Sequence, residues 1–511
     1  MTDAFDTPKV ARGTLYFAGE KITNRMMALG FSAAIARILT QTDIGLYSLL
    51  TFATSAFAAF TYLAIHMAST KFVSDAVGRQ DYSAAGAAAR GGRRLLLVVS
   101  IPSLAVGVLV SPWVASLGLA SEEHGLLVAL AFTSAFFLNI AMLLYGEMLG
   151  LGMFLRAAMA NLVHGTSHYG VGLLFAILGF GVLGLVSGWI VAGIIVVLAS
   201  LWFLKGKLKS NYILSSKTII SFSAPVAVAG ILNLFHNWAD VTLLYTLTGN
   251  FETTGVYFLM VSGATVLSFL WVSIGRVAFP LISASYAKTG QAGLVEPIRV
   301  ATRLLNILVI PLGVSLAAVA PTAIETLYGE SYLSGSLSLS ILAATSILPA
   351  YSTLEMDVMK GIGYTKHFLS IGVAALLVDV VAVTILAGPL GTTGGALARV
   401  FLWGTSVIIG YWVLRKKVKI PFGEGLFRSL MLAIVMGLSL VLAEQFLLIP
   451  YSQPLQVRIL TDLVVFVLIG IVAGRGLRVF KRHDFELMKQ ALPSRLTGLV
   501  DRASQLLIWD R

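Results

Sequence analysis

Apolar runs of about twenty residues recur roughly fourteen times along this chain of 511 residues, separated by short polar or charged stretches. A run of that length is what an α-helix needs to cross about 30 Å of hydrocarbon. Within the bilayer core only helices and closed barrels satisfy their own backbone groups. The pattern therefore predicts an all-α polytopic membrane protein of about fourteen transmembrane helices. The runs lie near 14–38, 43–67, 95–117, 125–147, 153–177, 181–204, 219–246, 253–277, 302–322, 335–358, 366–388, 392–414, 426–447 and 457–477. Composition agrees, since 57% of residues are hydrophobic and only 12% are charged, about half the charge of an average soluble domain. There is no cysteine, which excludes disulfides and thiolate metal sites. The start of the chain, up to Lys21, is polar and carries Asp3, Asp6, Lys9 and Arg12, unlike a cleavable signal peptide.

The net charge of +12 invites a nucleic-acid partner, but the bases are distributed as a membrane topology requires. Connections after even-numbered runs carry Lys71, Arg79, Arg90, Arg93 and Arg94, then Arg156, then Lys205, Lys207, Lys209 and Lys217. Later ones carry Lys288 and Arg299, Lys360, and Arg415, Lys416, Lys417 and Lys419. Connections after odd-numbered runs hold Asp43, Glu122, Glu123, Glu252 and Glu330 instead. The expectation is a multi-pass protein of the cell membrane with both termini cytoplasmic and no nucleic-acid partner. Residues 481–511 mix charge with apolar side chains and read as an amphipathic tail on the cytoplasmic surface, or as a solvated tail without a role.

Three landmarks repeat at one spacing. Gly45-Leu46-Tyr47 returns as Gly255-Val256-Tyr257, 210 positions later; Gly150-Leu151-Gly152 returns as Gly361-Ile362-Gly363 after 211; Gly181 and Gly184 return as Gly391 and Gly394 after 210. Duplicated bundles are common in transporters. The predicted organisation is two pseudo-symmetric six-helix bundles, residues 1–210 and 211–420, then helices 13–14 over 421–480 and the tail. Six spans is an even number, so both bundles would share one orientation.

The stretch Ala36-Arg37-Ile38-Leu39-Thr40-Gln41-Thr42-Asp43-Ile44-Gly45-Leu46-Tyr47 resembles the first interhelical turn of polysaccharide and oligosaccharide-lipid flippases. These form the polysaccharide transporter branch of a superfamily that includes multidrug and toxin extrusion antiporters and lipid II flippases. Further matching points are Phe279-Pro280, Leu327-Tyr328-Gly329-Glu330-Ser331-Tyr332, Lys360-Gly361-Ile362-Gly363-Tyr364-Thr365-Lys366 and Gly391-Thr392-Thr393-Gly394-Gly395-Ala396-Leu397-Ala398. The turn departs from the family pattern, which usually reads Gly-Pro where Thr40-Gln41 stands. The resemblance implies a V-shaped pair of bundles, alternating access, and spans 1, 2, 7 and 8 around a central cavity. It also implies that helices 13–14 offer a groove for a lipid tail.

Ionisable residues inside spans cost about 2.5–3.5 kcal/mol each on insertion scales and are functional candidates. Span 1 carries Lys21, Asn24 and Arg25, and span 7 carries Asn233, His236, Asn237 and Asp240, each set spaced to share a helix face. His66 of span 2 and Arg276 of span 8 are 210 apart. The expected substrate-binding set is Arg25, Arg276, His66, His236, Asp240, Lys21, Asn233 and Asn237, which is cationic on balance. Guanidinium groups suit a phosphate or pyrophosphate because they bond it bidentately and keep their charge. The histidines would bond sugar hydroxyls when neutral or add attraction when charged. Lys21, His66 and Arg276 lie near cytoplasmic ends, where snorkelling or topology is the competing reading; Arg25 is mid-span. Arg37 is read as bracing the turn beside Asp43. Glu147, Glu355, Asp357, Asp379 and Arg399 form a second set expected to contain internal pairs. His164 and His168, with Asn161, mimic a metal pair, but without an adjacent carboxylate a helix contact is expected and no metal.

No phosphate-binding loop of the ATPase type occurs, and no outer connection exceeds about fifteen residues. The expected function is therefore export of a lipid-linked oligosaccharide from the cytoplasmic to the outer leaflet, not catalysis, with no cofactor. The partners would be the lipid-linked oligosaccharide, membrane lipids, and a coupling H+ or Na+. The alternative is a cation-coupled multidrug antiporter, for which Asp240 and Asp379 would serve as coupling carboxylates.

Overall fold

The computed structural model describes residues 7–418, 420–448, 453–482, 485–486 and 497–507. Among these residues, ten helices are long and apolar enough to cross a membrane. The chain divides into two compact units, Met1–Phe258 and Leu259–Arg511.

The first unit begins with α1 (Thr7–Ile38), then α2 (Gln41–Tyr62) and α3 (Ile65–Gly78). It continues through α4 (Tyr82–Leu119), α5 (Gly125–Gly150), α6 (Phe154–Phe175), α7 (Gly181–Leu204) and α8 (Ser216–Thr248). Its last element is the start of α9 (Phe251–Ala264). Helices α6 and α7 form a tightly packed hairpin, α1 lies along α6, and α8 lies along α2, α3 and α4. The compact unit thus extends past residue 210, the division suggested by the repeat, because α8 buries Ile219, Ser223, Ala227 and Leu234 within it.

Local chemistry explains the breaks. Thr40 caps α2: its hydroxyl accepts from the backbone N–H of Asp43 at 3.1 Å, and the Asp43 carboxylate accepts from the Thr40 backbone N–H at 3.2 Å. This reciprocal capping box accounts for Thr-Gln at a turn where the related pattern has Gly-Pro. Thr40→Ala should lower unfolding stability by about 1 kcal/mol, read as a shifted thermal midpoint of the purified protein. The second predicted span is interrupted: Leu63 and Ala64 both take left-handed backbone conformations, at φ 49° and 51°. That costs about 1–2 kcal/mol per residue, and it starts α3 afresh with His66 in its first turn. The fifth and sixth runs join through a π-helical turn, Ala176–Phe180, where Gly179 has φ 90° and Gly181 has φ 55°, ψ −138°.

The second unit contains the end of α9, α10 (Ser268–Thr289), α11 (Val295–Ala318), α12 (Ala320–Leu327), α13 (Ser336–Ala344) and α14 (Ile347–Gly361). Then follow α15 (Phe368–Leu414), α16 (Leu426–Leu442), a π-helical turn at Ala443–Leu448, α17 (Leu455–Gly476) and α18 (Thr497–Leu507). The long α15 bends at Gly391, whose φ 53°, ψ −126° nearly reproduces Gly181, its counterpart 210 positions earlier. Its core joins α10, α11, α14 and α15 through Ile282, Ile298, Leu305, Leu354, Val358 and Leu414. Helix α16 packs on α11 and α17 on α16. Polar clamps fix the ends: Arg303 donates to the carbonyl of Val479 at 2.8 Å, and Asn306 to those of Phe422 and Glu424 at 2.9 Å each. Of the expected amphipathic tail, α18 lies within the described residues and packs on α17; residues 483–484, 487–496 and 508–511 lie outside them.

Candidate functional site

Helix α1 presents Lys21 and Arg25 one turn apart, both exposed. Asn24, on the same face in the sequence pattern, turns inward instead: its amide donates to Glu20 at 2.6 Å, and Glu20 is 2% exposed. The absence of a Cβ at Gly165 of α6 is what admits the Asn24 carbonyl. The face is thus split, with bases outward and a carboxylate–amide pair inward. Among the described residues Lys21 makes no ion pair.

Helix α8 splits in the same way. Asn233 and Asn237 are exposed and linked by a 2.7 Å bond from the Asn237 amide to the Asn233 carbonyl. His236 and Asp240 are buried. The His236 ring nitrogen lies 3.4 Å from the Leu232 carbonyl, and Asp240 accepts from the Tyr257 hydroxyl at 2.5 Å and from the Val241 backbone N–H at 2.9 Å. Residues at i, i+3, i+4 and i+7 cover a stripe wide enough to straddle the edge of a packed face. That is why two point inward and two outward. Aromatic side chains flank the exposed asparagines: Trp238 stacks on Phe258 at 6.0 Å and lies 6.3 Å from Phe52, which also meets Phe235. A single aromatic residue in an apolar run carries no signal of its own, so these rings do not stand out in the sequence.

His66 is half-buried and stacks on Tyr62 with ring centroids 4.8 Å apart. Its Nδ1 has no hydrogen-bond partner among the described residues. In the second unit, Arg276 on α10 is half-buried and makes no ion pair among the described residues. Nearby in sequence, Gly275 makes room for the Asp357 carboxylate, which Lys360 contacts at 2.9 Å.

The second charged set includes pairs that hold the fold. Glu147 is fully buried, and Arg93 grips both of its oxygens, the Nε bond being 2.9 Å. The charge pattern places Arg93 in a connection, but it lies well inside α4, which begins at Tyr82 behind the Asp81 cap; the Ala-rich residues 82–92 are too mildly apolar to register as a span. His164 and His168 are neighbours at 5.5 Å, and His168 stacks on Trp189 at 5.7 Å and 4°. The pair is a helix contact between α6 and α7.

Exposed guanidinium and ammonium groups such as those of Arg25 and Lys21 can bind an anion, and exposed amides such as those of Asn233 and Asn237 can bond sugar hydroxyls. Several solved structures share the fold. A lipid II flippase, MurJ, in an inward closed conformation, aligns with a TM-score of 0.68 at 14% identity, covering 90% of this chain and 98% of that one. An inward-facing multidrug resistance transporter of the MATE family, in the MOP superfamily, gives 0.64 at 16% identity over 77% and 94%. A MOP-superfamily transporter from Pyrococcus furiosus, described as having a binding pocket of reverse polarity, gives 0.57 at 16% over 80% and 95%. In sequence, an uncharacterized membrane protein of Methanocaldococcus jannaschii is 23% identical over 182 residues; the match spans 36% of this chain and 35% of that relative. Residues 10–285, more than half of the chain, match the family described as polysaccharide biosynthesis protein. The chain is a multi-pass membrane protein that shares its fold with these solved structures, and it belongs to the polysaccharide biosynthesis protein family.

Proposed function

We propose that this protein is a flippase that carries a lipid-linked oligosaccharide from the cytoplasmic to the outer leaflet by alternating access. The observation that carries the reading is the exposed pair Lys21 and Arg25 on α1. A base within a membrane span is costly unless it meets an anion, and a lipid-linked saccharide presents a phosphate or pyrophosphate. Asn233 and Asn237 supply amides for sugar hydroxyls, and Arg276 takes a second phosphate-contacting role. His66 contributes its open ring nitrogen, while His236 and Asp240 hold α8 in register. The family's description and the lipid II flippase among the fold neighbours favour this reading.

The proposed topology is fourteen spans with both termini cytoplasmic, arranged as six, six and two. The matching backbone at Gly181 and Gly391 supports the repeat. Coupling to H+ or Na+ completes the scheme. A multidrug antiporter shares the fold, but organic cations would be repelled by Lys21 and Arg25.

Replacing both Arg25 and Arg276 with Ala should abolish appearance of the glycan at the cell surface while the protein remains in the membrane at normal abundance. Unaltered surface glycan in that double variant would remove both residues from the site. Increased drug sensitivity with intact glycan would favour the antiporter.

A further inference from the structure

Helix α12, the 443–448 turn and α17 meet around four ionisable side chains that none of the preceding argument uses. Arg458 donates from Nη1 to Glu325 at 2.6 Å and from Nη2 to the Thr322 hydroxyl oxygen at 2.8 Å, and its Nη2 lies 3.9 Å from Glu444. The Thr322 hydroxyl donates to Glu444. Asp462, one turn along α17 from Arg458, sits beside Glu444 and Arg458. Glu444 is 6% exposed and Asp462 8%. Among the described residues, both Asp462 oxygens and Arg458 Nε have no hydrogen-bond partner.

Arg458 faces three carboxylates, Glu325, Glu444 and Asp462. Among the described residues, the other charged groups on the packed elements are Arg428 on α16, Glu296, Arg299 and Arg303 on α11, Glu330 just after α12, Arg475 thirteen residues beyond Asp462 on α17, and Asp501 and Arg502 on α18; Arg428 is engaged with the Arg478 carbonyl, Arg303 with that of Val479, and Arg299 with Glu296. Residues 449–452, Ile-Pro-Tyr-Ser, add no Lys, Arg, Asp or Glu. Two neighbouring buried carboxylates facing one guanidinium cannot both stay ionised cheaply. An ionised carboxylate only accepts hydrogen bonds, and the Thr322 hydroxyl is already committed.

We propose that Glu444 and Asp462 share one proton, and that this acid–carboxylate pair latches α17 and the 443–448 turn onto α12. The proton lets Asp462 donate to Glu444 and leaves its second oxygen for Arg458 Nε. Losing it places a further uncompensated negative charge in the cluster, so the latch loosens as pH rises.

The test uses the full-length protein in lipid nanodiscs, with potassium as the only metal cation. The thermal midpoint of the wild type should fall by several degrees from acidic to alkaline pH. Asp462→Asn, which keeps a neutral donor at the same place, should hold the acidic-pH midpoint throughout. An infrared band from a protonated carboxyl group should titrate in the wild type over that same pH range, and both Asp462→Asn and Glu444→Gln should remove it. The proposal is overturned if Asp462→Asn follows the wild-type pH dependence or is less stable at every pH. The same holds if the band persists in both variants. Should Asp462→Asn fail to fold, Glu444→Gln and the wild-type band decide alone. Added sodium or calcium raising the wild-type midpoint at fixed pH would show a metal cation in place of the proton, and would also overturn it.

Discussion

Arg93→Ala should cost about 3–5 kcal/mol of stability, enough to leave little folded protein in the membrane. Glu147 on α5 is wholly buried, and Arg93 on α4 is the only ion-pair partner it has among the described residues. Removing the guanidinium strands the carboxylate, and the penalty is that of an unpaired buried charge, not of one lost bond. The paired replacement Arg93→Met with Glu147→Leu removes both charges and should recover most of the loss, because well-packed apolar residues often replace a buried pair without cost. Detergent-resistant protein yield and thermal midpoint of the single and double variants measure this. Equal damage from both would mean that shape, not charge, matters there.

Gly45→Leu should be the most disruptive substitution of an uncharged residue. A Cβ at Gly45 would collide with the carbonyl oxygen of Phe251, and one at Gly255 would collide with that of Gln41 and lie 2.7 Å from the Gly45 nitrogen. The starts of α2 and α9 therefore touch backbone to backbone, and the contact is reciprocal: Gln41 and Phe251, like Gly45 and Gly255, are 210 positions apart. Overpacking a core with an added side chain costs about 1–3 kcal/mol where side chains can yield, and here only backbone is available to move. Gly45→Ala should already lower the thermal midpoint measurably, and Gly45→Leu should prevent the crossing. An unchanged midpoint for Gly45→Leu would mean that the two helix starts separate freely.

These residues show how much was legible. The apolar runs fall on helices because the thickness of a bilayer leaves one simple rule for length. The glycines at 45, 181, 255 and 391 stood out as landmarks, and each now has a physical reason: two allow backbone contact and two take positive φ at a helix break. The interruption at Leu63–Ala64 carried no such mark, since neither residue is a helix breaker. Arg93 was misplaced because hydropathy sees a helix only where it is apolar. For the candidate site, Lys21 and Arg25 were readable as bases on one helix, and both are exposed on α1. The inward turn of Asn24, His236 and Asp240 was not, because spacing gives a face but not which part of it is packed. Arg458 and Asp462 were overlooked for the opposite reason, as lone charges in a strongly apolar run.

The central claim is movement of a lipid-linked saccharide between leaflets. The direct measurement is leaflet-resolved labelling of a lipid-linked oligosaccharide in sealed vesicles containing the purified protein. The account predicts that inner-leaflet substrate becomes reactive to a membrane-impermeant sugar probe only when the protein is present, and that Arg25→Ala with Arg276→Ala abolishes the transfer. Equal labelling with and without the protein, using saccharides that carry phosphate and pyrophosphate linkages, would contradict it.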